Sequence, residues 1–258
     1  MNNYSEEHNM FIKKIKKQNI TVTIFRISII VLFIILWQVG ANLNIINTFL
    51  FSSPLKIIET AYDLFKDGIL FENIGVTLFE IGVSFIISGV VGIVIASILW
   101  SNKILFRIVD PYITILNSLP KVALGPLIII WFGASMKSII FMSLLISIFI
   151  TIINVYQGFI TTNEEYIIMA KSFGANKWQI FKYVIFPSNM SNIISALKIN
   201  ISMNLIGVIM GELLVSKKGL GYLIMYGSQI FNINLVITCI FILGIISYLM
   251  YYLINKIK

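Results

Sequence analysis

Apolar residues fall along this chain in long blocks separated by short polar stretches. Six blocks stand out, at about 24–39, 76–100, 108–132, 138–157, 193–215 and 235–254. A hydrocarbon layer about 30 Å thick takes about 20 apolar residues at a rise of about 1.5 Å each. Lipid offers no partner to an unpaired backbone N–H or C=O, so blocks of this kind predict helices. The expected fold is an all-α integral membrane protein of about six transmembrane helices.

The pattern inside the blocks adds detail. Gly82, Gly89 and Gly92, with Ser84, Ser88 and Ala96, give the second block a small-residue face suited to close helix packing. The third block contains Asn117, Ser118, Pro120, Lys121, Gly125 and Pro126. A charge at a helix centre costs about 2.5–3.5 kcal/mol on insertion scales. Two readings are open there: a helix broken at Leu119–Pro120 that faces protein or a polar cavity, or a proline-kinked helix with Lys121 snorkelling. Glu80, Asp110 and Glu212 are isolated acids in or near blocks, read first as span-end carboxylates that are paired or wetted.

Two polar stretches have structure of their own. Ser52-Ser53-Pro54 opens a helix, after which Ile57, Ala61, Leu64 and Phe65 alternate at helical spacing with Lys56, Glu59, Asp63 and Lys66. An amphipathic helix lying at the outer interface fits this better than a receptor-docking surface. Glu164 to Pro187 is the longest mixed charged and aromatic stretch. Its first part reads as a helix arriving at a break at Gly174. Asn176 to Phe186 reads as a second helix, stopped by Pro187. Trp178, Phe181 and Ile185 recur at i, i+3 and i+7 and predict one aromatic and apolar face, with Lys177, Gln179 and Lys182 elsewhere. Such a stretch either lies flat on an anionic leaflet or projects a corner into a pocket of another protein.

Composition agrees with the blocks. Of 258 residues, 58% are hydrophobic and 12% charged, about half the charged share of an average soluble domain. The net charge of +8 would suggest nucleic acid in a soluble protein. Here the positives flank the blocks, where they act as topology signals and anionic-lipid contacts. Lys13, Lys14, Lys16, Lys17 and Arg26 precede or open the first block, Lys103 and Arg107 follow the second, and Lys256 and Lys258 close the chain. Both termini are therefore expected on the cytoplasmic side, with residues 1–23 as a tail, 24–258 as one membrane domain and 163–187 as a cytoplasmic loop. Trp37 is placed as an interfacial anchor at the far end of the first span. Lys217 and Lys218, in the turn 216–222, run against this trend. The opening residues do not read as a cleavable signal. One cysteine, Cys239, and one histidine, His8, exclude a disulfide framework and a multi-His or multi-Cys metal site. Cys239 reads as buried packing and His8 as solvated. Walker, nucleophile-elbow and zinc-protease motifs are absent, so the embedded part reads as a pathway former.

Ala170, Gly174, Ala175, Ile185 and Pro187 resemble, in their spacing, the cytoplasmic EAA loop of permease subunits of binding-protein-dependent ABC importers. Asp110-Pro111, the run Asn117 to Pro126, Trp131-Phe132-Gly133, the run Gly207 to Glu212 and the run Gly219 to Ile224 are similar to the nitrate/sulfonate/taurine-type members of that group. The similarity covers most of the chain from about residue 50. The family's Glu-Ala-Ala falls on Ile168-Met169-Ala170, so its glutamate is missing, and Glu164 and Glu165 stand one turn earlier.

The resemblance implies a type I importer permease, cell-membrane embedded, working as a pair with a second copy or a close relative. It implies ATP hydrolysis on a separate subunit, no cofactor on this chain, and an external binding protein that delivers a small solute of the nitrate, sulfonate, taurine or vitamin-precursor kind. It assigns the ATPase-coupling role to Glu165, Ala170, Phe173, Gly174, Ala175, Trp178, Phe181 and Pro187. Asn117, Pro120, Lys121, Glu212, Gly219 and Gly221 become pathway or gate candidates. The main rival is a stand-alone secondary transporter or channel using Glu80 and Glu212. A membrane enzyme is weaker, because no nucleophile–base pair is evident in the blocks.

Overall fold

The computed structural model describes residues 6–256, and every described element is helical. The expectations for the His8 side chain and for Lys258 fall outside the described residues. The chain begins with α1 (Glu6–Asn42), so residues from Glu6 onward within the expected tail are already helix. At about 1.5 Å per residue α1 is about 55 Å long, well over a bilayer core. It is exposed along most of its length and is attached at its far end. There the Trp37 ring stacks on Phe241 at 6.0 Å, and Gln38 Oε1 accepts the Leu55 N–H at 3.1 Å.

Next come α2 (Thr48–Phe51) and α3 (Pro54–Lys66). Ser53 caps α3 with Pro54 in its first turn, as the sequence predicts. The α3 helix packs on α4 (Ile69–Ser101) and α13 (Ile233–Asn255). Ser52 Oγ donates to Asn234 Oδ1 at 2.7 Å, and Thr238 Oγ1 donates to the Ile57 carbonyl at 3.4 Å.

The centre is a three-helix core. Here α7 (Met136–Ile160) lies between α4 and α11 (Met190–Val215), with α12 (Leu220–Gln229) and α13 alongside. Small residues let these backbones approach. A Cβ on Gly207 would sit 2.5 Å from Ser143 Cα, and one on Gly92 2.7 Å from the Thr151 methyl. Gly82 is different, since a Cβ there would meet open space. It does not belong to the packing face that Ser84, Ser88, Gly89, Gly92 and Ala96 form.

The third block is broken. After α5 (Lys103–Ser118), a 3₁₀ turn (Lys121–Leu124) and α6 (Gly125–Phe132) continue at an angle of 83°. Leu119 is extended, at φ −61° and ψ 141°, the conformation that the ring of Pro120 favours in the residue before it. Five long apolar helices plus this bent pair account for up to six crossings.

The stretch 164–187 folds as α8 (Glu164–Ser172), α9 (Lys177–Ile180), a π turn (Phe181–Ile185) and α10 (Phe186–Ser188). Pro187 does not stop the second helix as expected. The π turn inserts a residue, so the Phe186 N–H reaches the Phe181 carbonyl, and the wider turn absorbs a residue that has no N–H to donate. The break falls instead at Asn189, and α11 starts at Met190.

Candidate functional site

The α8–α9 corner is defined by caps at each step. Asn163 Oδ1 accepts the Glu165 N–H at 2.9 Å and opens α8, with Glu164 and Glu165 in the first turn. Gly174 closes it with φ +76°. The Ala175 N–H bonds to the Ala170 carbonyl at 3.1 Å and the Gly174 N–H to the Lys171 carbonyl at 2.9 Å, the Schellman arrangement in which a left-handed residue satisfies the last carbonyls. Asn176 and Gln179 then form a reciprocal capping box at 2.9 and 2.8 Å. The bend is thus held by backbone bonds on both sides of Gly174.

The aromatic face divides in two. Phe173 and Trp178 are 85% and 68% exposed. Phe181 turns inward, with ring centroids 5.1 Å from Trp100, 5.5 Å from Phe159 and 6.0 Å from Phe186, and Ile185 is fully buried. Ala170 and Ala175 pack against the same core, while Glu165, Gly174 and Pro187 lie at the surface. The expected single face is therefore a root, Phe181 and Ile185, and a tip, Phe173 and Trp178. Asn189, 3% exposed, fixes the return of the chain. Its Nδ2 donates to Thr162 Oγ1 at 2.6 Å and to the Ile185 carbonyl at 2.8 Å. Lys177 Nζ donates to the Ser101 carbonyl, so the corner also touches the end of α4. A cleft of about 820 Å³ separates the α4–α5 turn and the end of α7 from the corner.

At the opposite end of the bundle the second group of predicted residues meets. Glu212 is 1% exposed. Its Oε1 accepts Thr77 Oγ1–H at 2.7 Å, and its Oε2 accepts the Gly221 N–H at the start of α12 at 2.5 Å. Thr77 Oγ1 in turn accepts the Leu220 N–H at 2.9 Å, and Asn73 Oδ1 accepts the Gly219 N–H at 2.6 Å. A Cβ on Gly219, whose φ is +107°, would collide with the Glu212 carboxyl, and one on Gly221 would lie 2.7 Å from Glu212 Cβ. This explains both glycines: they let the loop 216–221 close over a buried carboxylate at a helix N-terminus. On the surface, Lys218 pairs with Glu72, which gives one of the two off-trend lysines a local partner.

Glu80 is also 1% exposed, and its carboxyl contacts that of Glu212. The two acids are not isolated, contrary to the reading from sequence, and of its two alternatives, paired or wetted, they take the paired one, whereas Asp110 is exposed. Asn117, Pro120 and Lys121 form a separate group. Lys121 Nζ donates to the Asn117 carbonyl at 2.8 Å and to its Oδ1 at 3.1 Å, capping the end of α5. Among the described residues no hydrogen bond joins this group to the Glu212 cluster.

Sequence reasoning missed the polar column that joins the three central helices. Asn204 Nδ2 donates to Ser88 Oγ at 3.0 Å, and its Oδ1 accepts from Ser143 and Ser147 at 2.7 and 3.0 Å. Asn200 Nδ2 donates to Thr151 Oγ1 at 2.6 Å and Ser88 Oγ at 2.9 Å. All of these side chains are fully buried. Asn200/Asn204 and Ser143/Ser147/Thr151 recur every four residues, a stripe that periodicity alone makes visible.

A model of the binding-protein-dependent transport system inner membrane component family matches residues 88–257. The formylaminopyrimidine transport permease of Halalkalibacterium halodurans is 29% identical over 87% of this chain and 89% of its own length. A putative aliphatic sulfonates transport permease of Bacillus subtilis is 26% identical over 83% and 78%. The taurine transport permease of Escherichia coli is 24% identical over 83% and 80%. Among solved structures, a chain of the MetNI methionine ABC transporter in an inward-facing form superposes with TM-score 0.68 at 20% identity. The superposition covers 74% of this chain and 95% of that one.

Proposed function

The chain belongs to the binding-protein-dependent transport system inner membrane component family, the membrane-spanning permeases of ABC importers, and we propose that its α8–α9 corner is where a separate ATPase subunit grips it. The observation that carries this is the pair of large exposed aromatics, Phe173 and Trp178, on a corner whose backbone is capped on both sides of Gly174. Exposed aromatics of this kind anchor protein interfaces, and a doubly capped bend loses little conformational freedom on binding. Glu165, Ala170, Gly174, Ala175 and Pro187 shape the corner. Phe181 links it to Trp100 and Phe159 in the core, so a force applied at the tip reaches α4 and α7 through packed rings.

In this reading the corner is cytoplasmic, as are both termini. The basic residues Lys103, Arg107, Lys171, Lys177 and Lys182 near this end support that orientation. The chain carries a small solute, of the nitrate, sulfonate, taurine or vitamin-precursor kind that similar permeases are named for. An external binding protein presents the solute, a second copy of the chain completes the pathway, and ATP is used on the partner subunit. The chain itself is a transporter and not an enzyme. Asn117, Pro120, Lys121, Glu212, Gly219 and Gly221 remain gate candidates.

The test is co-purification of an ATP-binding subunit co-expressed with the tagged full-length chain. Trp178→Ala and Gly174→Val are expected to insert at parental levels and to retain less than a tenth of the ATPase. Parental amounts of ATPase on both variants would refute the assignment.

A further inference from the structure

Two carboxyl groups in contact inside a bundle are incompatible with two negative charges unless a cation or several donors lie beside them. Around Glu80 and Glu212 the described residues offer an unequal supply. Glu212 receives two donors, Thr77 Oγ1–H and the Gly221 N–H, and stands at the positive N-terminal end of α12. Glu80 receives none: its Oε2 is buried without a hydrogen-bond partner, and so is the hydroxyl of Ser84 one turn along α4. The basic residues nearest in sequence, Lys217 and Lys218, are exposed, and Lys218 is engaged by Glu72. Within the spans that pack here, α7 contributes only the exposed Lys137 at its start, and α13 has no acidic or basic residue from Ile233 to Ile254.

We propose that Glu80 and Glu212 form a one-proton carboxyl pair in which Glu80, as the neutral acid, donates to the Glu212 carboxylate and so latches the loop 216–221 onto α4. A proton on Glu80 makes its carboxyl a donor, and the carboxyl it contacts is the one that already holds Thr77 and Gly221. Glu212 then has three donors: the Thr77 hydroxyl, the Gly221 N–H and the Glu80 acid. Thr77 and Glu80 lie three residues apart on one face of α4, so a single helix face grips the loop through two side chains. Glu80 is a positioning residue for the far end of the bundle, acting through Glu212. This assigns the two acids a fixed proton and a mechanical task in place of an ion-coupling one. The inference stands on the geometry of the loop, independently of which solute or ATPase the chain uses.

The experiment measures loop opening in membranes. Cys239 is the only cysteine and is buried, so Leu220→Cys, at a position with 0% exposure inside the latch, reports opening through its rate of reaction with a maleimide. Glutamine keeps the shape of Glu80 and can donate through its amide, so Glu80→Gln is expected to label within about twofold of the Leu220→Cys parent. Glu80→Leu removes the donor while retaining bulk, and Glu212→Gln turns an amide toward the Gly221 N–H or Thr77. Each is expected to label at least tenfold faster. Thermal melting of the purified full chain identifies a variant that is merely unfolded, and Glu80→Met then replaces Glu80→Leu. Equal rates for Glu80→Gln and Glu80→Leu would overturn the neutral-donor role. A parental rate for Glu212→Gln would overturn the latch itself. Neither readout involves ATP or solute, so failure here is distinct from failure of the ATPase-docking proposal.

Discussion

Replacing Asn204 with alanine is the most direct test of how the three central helices hold together. Its amide makes three bonds to other helices, one to Ser88 on α4 and two to Ser143 and Ser147 on α7. Each partner has a second bond to fall back on. Ser88 Oγ also reaches the Ser84 carbonyl at 2.7 Å, Ser147 Oγ the Ser143 carbonyl at 2.9 Å, and Ser143 Oγ the Asn204 backbone carbonyl at 3.1 Å. The substitution therefore leaves no serine hydroxyl stranded, and Asn200 Oδ1, which loses the Asn204 Nδ2 donor at 2.8 Å, keeps the Ser88 hydroxyl at 3.2 Å, so the large penalty for an unsatisfied buried group does not apply. What is lost is three interhelical bonds at about 0.6 kcal/mol each, or about 2 kcal/mol. At about 2–4 °C per kcal/mol for a chain of this size class, the melting temperature should fall by about 4–8 °C. The assay is thermal unfolding of the purified protein in detergent, with Ser202→Ala as control, because among the described residues the exposed Ser202 hydroxyl bonds only to the Lys198 carbonyl of its own helix. A loss for Asn204→Ala no larger than the control would refute the idea that the column holds the helices. A loss above about 4 kcal/mol would refute the claim that the serines recover their bonds.

Gly207→Val should destabilise by about 1–3 kcal/mol, because its Cβ meets the Ser143 backbone at 2.5 Å, whereas Gly82→Ala, facing open space, should be neutral or slightly stabilising in the same melt. Phe181→Ala should lower stability by about 2 kcal/mol, below the 3–5 of a fully buried phenylalanine because it is only half-buried. Trp178→Ala should stay within about 0.5 kcal/mol of the parent, and an equal loss for the two would contradict the division into root and tip.

The predicted elements and the observed ones agree where the cause is local. The Ser53–Pro54 start of α3, the left-handed bend at Gly174 and the break before Pro120 each depend on the sterics and hydrogen bonds of a few neighbouring residues. Pro187 is a local signal that misled, because a proline stops a helix only if the turn around it stays α-helical, and here a π turn relieves it. The site residues were legible as types and spacing. Their grouping was not: Glu212, Gly219 and Gly221 are close in sequence, but their anchors Asn73 and Thr77 are 146 and 135 positions from the atoms they bind.

By itself, then, the sequence determined which blocks are long and apolar enough to cross, the bends at Pro120 and Gly174, and which residues are too polar for lipid. Those properties follow from helix rise, backbone sterics and the solvation of side chains one at a time. Only the tertiary structure decided which polar groups satisfy each other. It brought Glu80 against Glu212, set Asn200 and Asn204 between two other helices, and turned Phe181 inward while Trp178 stayed out. A buried hydrogen bond needs two partners at a fixed distance, and no run of residues along one chain segment specifies the second.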